Sequence, residues 1–193
     1  HGPAVGEPPV AVDPRRWGSL VGLAGGLVFV GSYAPVLGPV VTTVAWLAAG
    51  AGVLAALVAH YVRPVALGPL ARPRPAALAA YGACVVGELA LIALGSRALT
   101  ALGRGELRPA LIALVVGLHF VPFAWAFRER VFLRLGAAVA GLGAVGLLLG
   151  ALGVARAAEA LAVLAGLVMI AILVAHARGR FSPPAAAARA AAG

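Results

Sequence analysis

Apolar residues run almost unbroken through 17–37, 40–62, 76–99, 109–127, 131–153 and 160–177, and polar or Pro/Gly-rich breaks separate the runs. Each run is close to the ~20 residues that a helix needs to cross ~30 Å of hydrocarbon. The pattern predicts an all-α polytopic membrane protein, a bundle of six transmembrane helices spanning 17–177 as one domain. Residues 1–16 hold four prolines and no apolar run, so they are expected as a flexible cytoplasmic arm. The alanine-rich residues 178–193 are expected as a cytoplasmic tail. Arg15 and Arg16 before an apolar run resemble the start of a secretion signal. The 21 apolar residues that follow lack a small-x-small cleavage site and lead into further spans, which predicts a retained helix.

Glycine spacing refines the packing. Gly18, Gly22 and Gly26 recur every four residues and share one face of the first span, where another backbone can approach closely. Ala48, Gly52, Ala55, Ala56 and Ala59 offer a small face on the second, and Pro35, Gly38 and Pro39 leave almost no linker. A tight hairpin of the first two helices through these faces is expected. Gly146 and Gly150, preceded by Ala137 and Gly141, predict similar packing for the last hairpin.

Composition agrees: 63% of residues are hydrophobic and 11% charged, with mean hydropathy +1.04. Six spans use nearly the whole chain and leave no space for a soluble catalytic or nucleic-acid-binding domain. The net charge of +9 and pI near 11.6 would point to a polyanion partner in a soluble protein. Here the arginines stand at span ends, with eleven on the side of the N-terminus and only Arg97, Arg104, Arg108 and Arg156 opposite. The positive-inside rule then selects N-in and C-in. The expected partners are the bilayer with its anionic headgroups and a second copy or larger membrane complex, with no nucleic acid. All fifteen basic residues are arginine, a sign of GC-rich coding and of a bacterial cytoplasmic membrane. Trp17, Tyr61 and Trp125 fall where an aromatic belt is expected. Cys84, the single cysteine, reads as a buried structural thiol.

Two ionisable residues interrupt the central spans. Glu88 lies about 18 Å along the third and His119 about 12 Å from the end of the fourth, at ~1.5 Å per residue, so the two can meet. Tyr81 and Cys84 share the Glu88 face. Pro122 removes the N–H that would serve the Leu118 carbonyl and kinks the preceding turn. Exposed backbone at membrane depth needs protein or a water-lined cavity to satisfy it. Glu88, His119, Tyr81 and Pro122 therefore form the candidate substrate or proton site. The other account is a buried Glu–His contact that pins two helices.

Leu57-Val58-Ala59-His60 and Leu173-Val174-Ala175-His176 end the second and sixth spans alike. His60, His119 and His176 are the candidate ligands for a haem or metal. Against that, no cofactor is expected if the two end histidines lie at headgroup level as amphipathic side chains beside helix C-termini.

The segment Val116-Gly117-Leu118-His119-Phe120-Val121-Pro122-Phe123-Ala124, with a glutamate one span earlier, resembles a motif of small uncharacterised multi-spanning bacterial membrane proteins. The resemblance covers about 76–150 and implies that His119, Pro122 and Glu88 belong together. It brings no activity. Three functions follow from the sequence: a small transporter- or channel-like protein, an accessory subunit of a membrane complex, and an intramembrane redox protein. A soluble enzyme is not expected, since the chain has no His-Glu-x-x-His and no Gly-rich phosphate loop.

Overall fold

The computed structural model describes residues 7–70 and 72–181. Among them six helices are long and apolar enough to cross a membrane, and no strand occurs. They are α1 (Pro14–Tyr33), α2 (Pro39–Leu57), α3 (Pro75–Ala101), α4 (Arg108–Phe127), α5 (Arg130–Ala151) and α6 (Ala157–Ala177). A turn of π-helix, Val58–Val62, extends α2. The helices run alternately up and down, so one end of the bundle gathers Asp13, His60, Glu129 and His176, and the other Arg104 and Arg156. These are called the Asp13 end and the Arg104 end.

Local chemistry sets the helix starts. Asp13 caps α1 by accepting from the Arg15 backbone N–H at 2.9 Å, with Pro14 at the first helical position, where a missing N–H costs nothing. Pro39 and Pro75 open α2 and α3 in the same way. The α4–α5 turn is made by Arg128 in the left-handed region, φ 53° and ψ 40°.

The core centres on α6, which packs against α1, α2, α4 and α5. The expected α1–α2 glycine seam is corrected here. A Cβ on Gly18 would meet Phe123, one on Gly22 would meet Leu173 at 2.7 Å, and one on Gly26 would lie 2.9 Å from the Gly166 carbonyl. These three glycines thus seat α1 on α6 and α4, while Gly31, farther along α1, faces Trp46 of α2. Gly52 of α2 also faces α6, at Ile170. Large side chains at Leu173 and Ile170 fill the space that small faces leave, a complement that glycine spacing alone does not reveal.

Gly146 stands between Ala110 of α4 and Leu161 of α6, and Gly150 faces Leu107, while Gly141 meets nothing. The closest backbone approach lies between α4 and α5, where Gly117, Gly136 and Gly143 leave no space for a side chain. By contrast, among the described residues, α3 packs mainly against α4 and the turn that precedes α4. Its one buried residue is Ser96, and Val86, Leu89, Leu91 and Leu94 are exposed. Cys84 is exposed on this helix, which corrects the expectation of a buried thiol.

The arm expected over 1–16 departs from that reading at 7–16. A turn of 3-10 helix forms at Val10–Val12, α1 begins at Pro14, and the Glu7 carboxylate accepts the Leu67 N–H at 2.8 Å. Residues 1–6 of the arm and 182–193 of the tail lie outside the described residues.

Candidate functional site

Glu88 and Tyr81 are two turns apart on one face of α3, and α4 lies antiparallel against that face. His119 therefore comes between them. Its Nδ1 stands 2.6 Å from Glu88 Oε2 and its Nε2 is 3.1 Å from the Tyr81 hydroxyl. The Glu88 contact is short, but its geometry is not that of an aligned hydrogen bond. The Glu88 and His119 side chains are 13% and 18% exposed. An imidazole with a phenol on one nitrogen and a carboxylate near the other can gain a proton on one side and release it on the other.

Rings hold this cluster. Tyr81 stacks edge-on to Phe123 at 5.5 Å between centroids, and Phe123 packs on Phe132 at 4.4 Å. Beside them opens a cavity of about 370 Å³ lined by Val12, Pro14, Trp17, Tyr81, His119 and Phe123, among others. Its wall is mostly apolar, with His119 and Tyr81 the convergent polar groups. Glu88 and Pro122 do not line it. Glu88 sits behind the imidazole, and Pro122 is half-buried inside a continuous α4, so the cavity floor expected from those two residues is instead made by Tyr81, His119 and aromatic rings.

A second polar cluster occupies the Asp13 end. Arg15 and Arg16 are each 1% exposed, where the sequence places them among headgroups. Arg15 binds both Asp13 carboxylate oxygens, at 3.1 and 3.0 Å, the carbonyls of Leu67 and Gly68, at 2.9 and 2.8 Å, and Glu129 Oε1 at 3.3 Å. Arg16 donates to His60 Nδ1 at 3.0 Å, to the His60 carbonyl at 3.1 Å and to the Val65 carbonyl at 2.8 Å. Because a guanidinium only donates, His60 accepts at Nδ1 and is neutral with its proton on Nε2. The π turn at Val58–Val62 aims both the ring and the carbonyl of His60 at Arg16. Glu129, in the turn between α4 and α5, has its carboxyl held above the ordinary value of 4.5 by burial, against the lowering effect of Arg15.

The headgroup-level reading of the end histidines is corrected by their burial: His60 is 0% and His176 2% exposed, with ring centroids 6.3 Å apart. The structure brings these two candidate ligands together and keeps His119 in the other cluster. Among the described residues no group of three His, Cys, Asp or Glu could hold a metal ion. Sequence reasoning missed the arginine cluster, although three of the six acidic residues, Glu7, Asp13 and Glu129, fall at this end, a signal that buried arginines require.

No family model, curated protein or solved structure matches this chain.

Proposed function

We propose that the chain is a multi-pass protein of a bacterial cytoplasmic membrane and acts as a small transporter- or channel-like protein whose proton or solute site is Glu88, His119 and Tyr81. Six helices long and apolar enough to span a bilayer support the placement. So does the exposure of Trp17, Tyr61 and Trp125 near helix ends. The N-in, C-in orientation rests on arginine bias. With the buried Arg15 and Arg16 discounted, nine arginines against four still favour it.

The observation that carries the function is the 2.6 Å approach of His119 to Glu88 beside a cavity that His119 lines. Ionisable groups at membrane depth are costly and mark substrate or proton paths by default. A proton from the cavity reaches the imidazole at Nε2, where the Tyr81 hydroxyl orients it, and leaves from Nδ1 to Glu88. Pro122, one turn past His119, loosens the backbone of that segment.

One observation favours an accessory subunit: α3, which carries Glu88, leaves a long apolar face uncovered. A second copy or another membrane helix fits that face. The two readings separate in the double substitution Glu88→Gln with His119→Gln. Transport predicts lost flux in liposomes while the unfolding midpoint changes little. A packing role predicts retained function in the assembled complex with a clearly lowered midpoint.

A further inference from the structure

At the Arg104 end, the groove between α3 and α4 has a volume of about 590 Å³ and is lined by Ile92, Ser96, Arg97, Thr100 and Arg108, with two alanines. Glu88 opposite His119 and Gly95 opposite Leu111 fix the antiparallel register of the two helices. That register brings Arg97 and Arg108 to one level, on either side of the groove. Among the described residues neither arginine has an acidic partner. Arg104 and Arg156, at the same end, do pair, with Glu106 at 2.7 Å and Glu159 at 3.7 Å.

Ser96 is the second observation. Its residue is 8% exposed and its hydroxyl oxygen is buried with no hydrogen-bond partner, a costly state for a polar atom. A serine in a helix commonly turns back to the carbonyl four residues earlier, as Thr100 does here, donating to the Ser96 carbonyl at 3.0 Å. Ser96 instead lines the groove with its buried hydroxyl unpartnered. Two guanidiniums and one hydroxyl form a donor set suited to an anionic group with several oxygens.

We propose that this groove holds the phosphate diester of a membrane phospholipid, with Arg97, Arg108 and Ser96 as donors. The apolar part of the wall decides between lipid and free phosphate. Ile92 and the alanines continue into the exposed Leu91 and Leu94, a surface that acyl chains cover and inorganic phosphate leaves bare. The proposal rests on membrane placement and is independent of proton transfer at Glu88. Because recognition is through the phosphate, headgroups of different charge are accepted.

The test is native mass spectrometry of the full chain in detergent with phosphatidylglycerol, phosphatidylcholine of the same chains, or inorganic phosphate. Wild type is expected to retain one phospholipid of either kind. Arg97→Gln and Arg108→Gln each weaken retention about fivefold, Ser96→Ala weakens it less, and Arg156→Gln leaves it unchanged. The proposal is overturned if wild type retains no phospholipid, if Arg156→Gln weakens retention as much as the groove variants, or if inorganic phosphate displaces the lipid with the same arginine dependence. Alkaline extraction of membranes keeps the two ideas apart. Release of the chain defeats the membrane reading, whereas a chain that stays in the membrane yet retains no lipid defeats the groove alone.

Discussion

Gly143→Ala tests how α5 fixes the helix that carries His119. A Cβ at Gly143 would fall 2.8 Å from Leu114 Cα and 2.9 Å from the Ala110 carbonyl oxygen, and would also strike the Leu114 nitrogen. Carbon pairs prefer about 3.5–4.0 Å, so α4 and α5 must part by several tenths of an ångström or more, and backbone atoms cannot rotate aside. Overpacking of this kind costs about 1–3 kcal/mol. Gly141, on the same helix, has nothing within 4 Å of the added Cβ, so Gly141→Ala gains about 0.5–1 kcal/mol of helix preference. The two variants should differ by roughly 1.5–4 kcal/mol, or about 3–15 °C in unfolding midpoint for a chain of this size. Thermal melts of the purified protein in one detergent, followed by circular dichroism, measure the difference directly. Equal midpoints, or a more stable Gly143→Ala, would refute the α4–α5 seam.

Arg16→Met should destabilise by about 3–5 kcal/mol in denaturant titration, because it strips the donor from His60 and Val65 and leaves the buried Glu7 carboxylate, 3.8 Å from the Arg16 guanidinium, without its cation, whereas Arg63→Met, exposed at the same end, should stay within about 0.5 kcal/mol. Tyr81→Phe keeps the ring packing but leaves His119 Nε2 without its partner. A stability change of about 1 kcal/mol with a clear fall in proton flux is expected, and unchanged flux would remove Tyr81 from the site. Because burial holds the Glu129 carboxyl above 4.5, the folded chain binds more protons than the unfolded chain between that value and its raised one. Stability therefore falls as pH rises through that window. Melts across the window should show this slope in wild type and a flatter one in Glu129→Gln.

The helices were the most legible part, because a span of apolar residues is a one-dimensional signal and each observed helix differs from its expected run by a few residues. The pairing of Glu88 with His119 was legible too, since depth along two antiparallel helices fixes which residues can face. Partner choice was not. Gly18, Gly22 and Gly26 announce a close approach without saying to whom, and the bulky Leu173 and Ile170 that answer them carry no pattern of their own. Arg15 and Arg16 follow the positive-inside rule in position while being buried in fact, because Glu129 and backbone carbonyls from 60–68 meet them only in three dimensions. The same long-range folding carries Val12 and Pro14 into the wall of the His119 cavity.

The central claim is that Glu88 exchanges protons through His119, and proton uptake into liposomes containing purified protein, at a fixed imposed pH gradient, tests it most directly. Flux in wild type and its loss in Glu88→Gln, with helicity retained in both, is the expected result. Equal flux in wild type and Glu88→Gln would contradict it and leave the 2.6 Å Glu88–His119 contact as a pin between α3 and α4.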